Sequence, residues 1–444
     1  MTCLISTEKL TALNDKYRPF AEIAQDLQEM NEYPPKFHFS AKDNICATGF
    51  QARAGSKILE GYRPPFDATA VRKMREANGI LIGKTNMDEF GFGTFCTNSA
   101  FGIPLNPHDI ERTCGGSSGG AAAITALLDR HVALAESTGG SISCPASFCG
   151  VIGFTPTYGR VSRYGLIDYA NSLDKIGLVT RSVADLKRFL PVISGPDRRD
   201  PTSCVQPELR LDGSKVKSVA VPEEALQNLD PAVLRAFEVA LDKLGEMGIE
   251  AHRVSMPSLG FALAAYYVLA TSEASTNLAR YKGMLFGVRG GRIDQSFNDY
   301  FSEVRSANFG KEAKRRVLLG TYTRMVGFRD RYYLKALAVR QLVIKEYLGL
   351  MERDDLVITP TMPFIAPRFT EIAKMKPLEV YQADFLTVPP NLTGMPHISL
   401  PCGYQDGMPI GMQLVAPHWE ERRLLYVAER WCDDFKIRFP EVSG

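Results

Sequence analysis

Apolar residues recur at helical spacing near the start of the chain. Leu10, Leu13, Phe20, Ile23 and Leu27 fall on one face and predict an amphipathic helical stretch over residues 1–30. A short apolar run, Phe37 to Phe39, leads into Ser40-Ala41-Lys42-Asp43-Asn44. Asp67 is the expected cap of a helix that carries Val71, Met74 and Ala77 and ends at Gly79. Ile80-Leu81-Ile82 then reads as a strand, left through Gly83-Lys84-Thr85-Asn86-Met87-Asp88-Glu89-Phe90. An alanine-rich run from Ala121 to Leu128 and a strand-like run from Val132 to Ala135 continue the alternation. Strands alternating with helices predict an α/β sheet, whose ligand sites lie in loops at strand ends.

The pattern changes after Cys149. Residues 153–177, GFTPTYGRVSRYGLIDYANSLDKIG, read as turn-rich. Ser182 to Ile193 predicts a helix, broken by Gly195-Pro196-Asp197. Val216 to Val221, Pro231 to Met247 and Ile249 to Val254 predict a strand–helix–strand unit. Residues 259–350 carry a helical pattern with few strand signals, an excursion from the sheet. Asp355 to Ile358, His397 to Pro401 and Pro409 to Val415 read as strands, and Glu420 to Phe435 as a closing helix.

Composition narrows the class of protein. With 444 residues, 45% of them hydrophobic, the chain can bury a large core, and length alone suggests about three domains. The 52 basic and 50 acidic residues nearly cancel, which argues against nucleic-acid binding through bulk charge. Nine cysteines, an odd number without zinc spacing, read as reduced thiols of a cytoplasmic protein. The opening residues have no apolar signal core, and no window approaches the ~18 apolar residues of a membrane span.

Two glycine-serine loops carry the candidate chemistry: Gly115-Gly116-Ser117-Ser118-Gly119-Gly120, and Thr138-Gly139-Gly140-Ser141. Taken alone, a GGSSGG string is a flexible turn. It is not a phosphate-binding P-loop, because no Lys-Ser or Lys-Thr pair follows. Two such loops flanking buried core are not linkers. Glycines let backbone N–H groups approach a ligand, and a serine there can be a nucleophile beside an oxyanion hole. That serine needs a base. The six histidines, His131 between the loops included, read as structural or exposed. A buried neutral lysine is the alternative.

These motifs resemble the amidase signature family, along nearly the whole chain. The family's catalytic lysine falls on Lys42 in AKDNICATG, its cis-peptide serine on Ser117 in GGSSGG, and its nucleophile on Ser141 in STGGSI, 24 residues further on. The resemblance implies a single α/β domain over 1–444, a large mixed β-sheet core flanked by helices, with 259–350 as a helical excursion. It implies that Ser141 attacks an amide, that Ser117 relays the proton to Lys42, and that the N–H groups of Thr138, Gly139, Gly140 and Ser141 hold the oxyanion. No metal is implied. Lys84, in GKTNMDEFG, is the competing base and falls in a structural motif of the family.

Within the family, strings such as SEASTNLARYKG, FGKEAKRRVLLGTY and ADFLTVPPNLTGMP resemble the A subunits of tRNA-dependent amidotransferases. That branch implies a glutaminase whose donor is gripped at its carboxylate by Arg316 and at its ammonium by Asp384, with Tyr266 lining the pocket. The implied partners are a B subunit, which binds mischarged tRNA and carries ATP and Mg, and a small C subunit. This chain itself is expected to hold no cofactor and to touch no membrane. The acceptor is Glu-tRNA(Gln), Asp-tRNA(Asn) or both. The chain departs from the family around the nucleophile, where Glu136, Ser137 and Ser143 replace the usual serine, aspartate and arginine. The stretch before Lys42 is also shorter. Two rival readings remain: a stand-alone amidase for a small amide, and an inactive scaffold subunit.

Overall fold

The computed structural model describes residues 5–25, 27, 37–203, 206–290 and 294–441. The strands are β1 (Phe20–Ile23), β2 (Phe37–Lys42), β3 (Gly79–Thr85), β4 (Leu105–Asn106), β5 (Asp109–Thr113), β6 (His131–Ser137), β7 (Ile152–Thr155), β8 (Lys175–Thr180), β9 (Ser218–Pro222), β10 (Glu250–Val254), β11 (Leu356–Pro360), β12 (His397–Gln405) and β13 (Met408–Val415). Eleven of them form one sheet in the order β1-β3-β2-β6-β8-β7-β12-β13-β11-β9-β10, and β4 pairs with β5 apart from it. The sheet is mixed. β2 runs parallel to β3 and β6, and β9 parallel to β10 and β11, while β6–β8–β7–β12–β13–β11 are joined antiparallel. Every residue of β2, β6, β7 and β8 is buried, as strands covered on both faces must be.

The helices fall into two groups. α1 (Thr7–Tyr17), α2 (Thr69–Glu76), α3 (Gly119–Leu127), α4 (Ser143–Cys149), α5 (Val183–Ile193) and α6 (Pro231–Glu246) lie along the sheet, and α14 (Glu421–Asp434) closes the chain against α5 and β12. The excursion is α7 (Leu259–Asn277), α8 (Phe297–Asn308), α9 (Lys311–Arg324) and α10 (Lys335–Met351), followed by short helices α11 (Phe369–Ile372), α12 (Pro377–Gln382) and α13 (Val388–Thr393). α7 is the centre of this layer and packs on α9, α10 and α13. Tyr266, Leu269, Ala270 and Ala274 of α7 share a buried cluster with Ala313, Val343 and Leu392. The α/β architecture with a mixed sheet and the helical excursion agree with the sequence reading.

Two local expectations fail, and a third holds except at its ends. Among the described residues the helical stretch over 1–30 is interrupted after Tyr17: Phe20 and Ile23 lie instead on β1, and Leu27 is helical again. Arg18 takes a left-handed φ of 54°, and Pro19 follows, which the helix cannot accommodate. The expectation at 1–4, 26 and 28–30 lies outside the described residues. Asp67 does not cap α2: its carboxylate accepts from the Thr48 N–H at 2.7 Å and pairs with Arg75 at 2.9 Å, and the N-cap is Ala68. Asn78, with φ 63°, takes the left-handed turn after α2, and Gly79 opens β3. The turn-rich region contains β7 and the start of β8. A long loop separates them, and tertiary pairing with each other and with β6 and β12 makes them strands.

Gly320 of α9 faces α7 so closely that a Cβ would collide with the Thr271 carbonyl, whereas a Cβ at Gly349 of α10 meets nothing within 4 Å. Gly320→Ala therefore destabilises the fold by about 1–3 kcal/mol. Gly349→Ala is stabilising by about 0.4–1 kcal/mol, because alanine has less freedom to lose in a helix. Urea unfolding midpoints of the two variants check the contrast.

Candidate active site

The parallel pairing of β2 with β6 brings two chain turns to one edge of the sheet. Ala41 stands opposite Leu134, so the strands end side by side on Lys42 and on Glu136-Ser137. The 138–141 loop leaves β6 and enters α4, and the GGSSGG loop enters α3, so both serine loops meet above these strand ends. Glycine is required in the second loop by close approach. A Cβ at Gly139 would collide with the Tyr266 ring, and one at Gly140 with the Thr387 side chain.

Lys42, Ser117 and Ser141 meet. Lys42 Nζ lies 2.7 Å from Ser117 Oγ, and Ser117 Oγ lies 2.9 Å from Ser141 Oγ. The Gly116–Ser117 peptide bond is cis. Lys42 and Ser117 have no solvent exposure, while Ser141 keeps 7%, so Ser141 is the hydroxyl that an incoming substrate reaches first. Lys42 also donates to the Glu136 carbonyl at 3.0 Å and to Glu136 Oε2 at 2.8 Å. Lys84 points elsewhere: its amine bonds the Ile45 carbonyl, and burial lowers its pKa. His131 bonds Ser40 at 3.0 Å and Thr125 at 3.1 Å, and burial drives its pKa down to about 3, which leaves it a neutral core group.

The three residues expected to grip the donor line the same cavity as Ser141. Gly139, Gly140, Ser141, Tyr266, Tyr267, Arg316 and Asp384 bound it together. A cleft of about 160 Å³ adjoins it, with Gly93 and Arg316 common to both linings. Arg316 is 3% exposed and is held in place. Its Nε donates to Glu312 Oε1 at 2.8 Å, one Nη donates to the Tyr169 hydroxyl, and the rings of Phe92, Tyr169, Tyr267 and Tyr381 surround it within 5.6 Å. Asp384 accepts from Thr94 Oγ1 at 2.8 Å and from the Tyr267 hydroxyl at 3.0 Å. Burial pushes its pKa up to about 6, against the pull of those two hydroxyls.

Several of these partners are not visible in the sequence. Tyr267, the neighbour of Tyr266, is the tyrosine that bonds Asp384. Glu312 stands one helical turn before Arg316, an i,i+4 spacing that could have marked the pair. Glu136 reads along the chain only as a replacement within a motif. Ser137 bonds Asn391 at 3.2 Å, and Ser143 Oγ is buried without a hydrogen-bond partner among the described residues.

The chain matches the Amidase family over residues 35–425. The chain belongs to the amidase signature family. It is 45% identical to the A subunit of the Methanococcoides burtonii glutamyl-tRNA(Gln) amidotransferase over 410 residues, which cover 90% of this chain and 86% of that protein. The crystal structure of the corresponding A subunit from Thermotoga maritima superposes with a TM-score of 0.82 at 34% identity, covering 97% of this chain and 92% of that one. A 6-aminohexanoate cyclic dimer hydrolase superposes with a TM-score of 0.81 at 25% identity, covering 97% and 93%. A serine that attacks an amide must lose its proton as it does so. The contacts between Ser141, Ser117 and Lys42 offer a continuous path for that proton.

The difference in exposure between the two serines predicts their reactivity. A fluorophosphonate probe is expected to label Ser141 and not Ser117. Peptide mapping by mass spectrometry identifies the modified serine, and Ser141→Ala is expected to abolish labelling while leaving the circular dichroism spectrum unchanged.

Proposed function

We propose that this chain is the glutaminase subunit of a tRNA-dependent amidotransferase. Ser141 attacks the side-chain amide of glutamine. Its proton passes to Ser117 Oγ as the Ser117 proton passes to Lys42, and the N–H groups of Thr138, Gly139, Gly140 and Ser141 receive the negative charge of the tetrahedral intermediate. Lys42 returns its proton through Ser117 to the departing ammonia. Water then hydrolyses the acyl-enzyme by the same route. The ammonia serves a B subunit that binds the mischarged tRNA and activates its carboxyl group with ATP and Mg, and a small C subunit completes the complex. The acceptor is Glu-tRNA(Gln), Asp-tRNA(Asn) or both, and the setting is the cytoplasm. Among the described residues no helix is long and apolar enough to cross a membrane.

One observation carries this reading beyond amide hydrolysis in general. A buried cation, Arg316, and a half-buried carboxyl, Asp384, line the cavity that holds Ser141. Free glutamine presents a carboxylate and an ammonium at fixed separation, and these two side chains offer the complementary charges. Glu312 and Tyr169 occupy two donors of Arg316, and a guanidinium carries further N–H groups for a carboxylate.

Two tests follow. Lys42→Arg is expected to be nearly as inactive as Lys42→Ala, because a guanidinium cannot give up its proton to act as a base, and near-normal turnover of the arginine variant would exclude the lysine from that role. Arg316→Ala and Asp384→Ala are each expected to raise the KM for glutamine about tenfold or more, from the loss of ~1.5–3 kcal/mol per charged hydrogen bond. Hydrolysis of an uncharged amide should change little. Asp384 grips an ammonium only when ionised, so the KM for glutamine should rise as pH falls through about 6 and level off above it. Equal damage to both substrates would point to a structural role for the two residues. No damage to either would favour a stand-alone amidase.

A further inference from the structure

Among the described residues Lys42 Nζ has three hydrogen-bond partners, and two belong to one residue. Glu136 presents its backbone carbonyl at 3.0 Å and its carboxylate at 2.8 Å, and the third neighbour is Ser117 Oγ at 2.7 Å. An ammonium donates to all three. A neutral amine keeps its two N–H bonds to Glu136 and turns its lone pair on Ser117. The same heavy-atom arrangement therefore serves both states of the base, and the two acceptors of Glu136 aim the third position.

Glu136 is itself anchored across three neighbouring strands. Oε2 also accepts from Asn44 Nδ2 at 3.2 Å. Oε1 lies 2.6 Å from Thr138 Oγ1, which lies 2.8 Å from Asp174 Oδ1, immediately before β8. A hydroxyl has a single hydrogen, and an ionised carboxylate has none to give. Thr138 can bond to both carboxyl groups only if one of them is protonated. Glu136 faces Lys42, so Asp174 is the group that keeps the proton: its O–H donates to Thr138, and Thr138 donates to Glu136. Burial and the adjacent Glu136 charge hold the Asp174 carboxyl well above the usual carboxylate range.

We propose that Glu136 is a positioning residue for the Lys42 base, and that the Glu136–Thr138–Asp174 chain holds one proton and one negative charge with the charge set against Lys42. The proposal rests on Lys42 serving as the base for Ser141. Other charged groups face this chain. Lys175, which bonds the Asn391 carbonyl at 3.3 Å, is lowered to about 7 by burial, and Asp88 is pushed up to about 7 by burial. Arg163 and Asp168 act on Asp174 from the loop between β7 and β8.

Glu136→Gln separates charge from shape. Its amide oxygen accepts from Lys42, its N–H donates to Thr138, and Thr138 donates to an ionised Asp174, so the negative charge moves from beside Lys42 to Asp174, on the far side of Thr138. The full chain, with any subunits that copurify, is followed against pH by the rate of fluorophosphonate labelling at Ser141 and by kcat and KM for glutamine. In the unsubstituted protein the rate rises with pH as the base loses its proton. In Glu136→Gln this acid limb should move to lower pH by about one to three units, because the anion that favours the charged base no longer touches it. The KM for glutamine should stay unchanged. Glu136→Ala also removes the side-chain acceptor and should lower kcat about a hundredfold, again at unchanged KM. A Glu136→Gln profile that superimposes on the unsubstituted one overturns the proposal. So does a parallel fall in kcat and melting temperature with the acid limb in place, which would make Glu136 a structural core group. If the unsubstituted protein is labelled but does not hydrolyse glutamine, only the glutaminase reading falls, and the labelling profile still decides the inference. Absence of labelling at Ser141 overturns both.

Discussion

Lys42 has no solvent contact, so its nitrogen must find every partner within the protein. This requirement organises the sheet edge on which the site is built. β2 delivers the lysine, and the parallel neighbour β6 delivers both a carbonyl and a carboxylate from Glu136. Ser117 closes the set from the loop before α3. A single hydroxyl then remains between the dry interior and the cavity, and it belongs to Ser141. A shift of either strand in register would leave a buried amine or a buried carboxylate unpaired, and breaking such a buried pair costs about 3–5 kcal/mol.

The other half of the site comes from the helical layer. Arg316 is a buried cation on α9, held by a carboxylate one turn away and by four aromatic rings. Two of those rings, Tyr267 and Tyr381, come from α7 and α12, so the packing of three helices decides where the guanidinium stands. Asp384 is placed by the Tyr267 hydroxyl and by Thr94. The sheet edge thus carries Lys42 and the loops with Ser117 and Ser141, the helical layer carries Arg316, and both line the cavity at Ser141.

The spacing of Lys42, Ser117 and Ser141, and the glycines around the two serines, were legible in the sequence because each motif is local and chemically specific. The long helical excursion was legible for the same reason: an apolar repeat over many turns has little other meaning. Arg316, Asp384 and Tyr266 could be matched to a resemblance but not to one another, since nothing in a string of residues says that α9 and the segment after α12 face one cavity. Tertiary structure alone decided that. It also decided that β7 and β8 are strands within a turn-rich stretch, because strand pairing at long range leaves only a weak trace in local propensity. Glu136 is the sharpest case. Read along the chain it is a departure from a motif, one residue from an equally unremarkable serine. Strand alternation turns Glu136 toward Lys42 and Ser137 toward Asn391, and Asp174, 38 positions away, comes to share a hydroxyl with it. Residue identity determined which chemistry was available to this protein. The pairing of β2, β6 and β8 determined which residues share it, because contact between neighbouring strands depends on register and not on distance along the sequence.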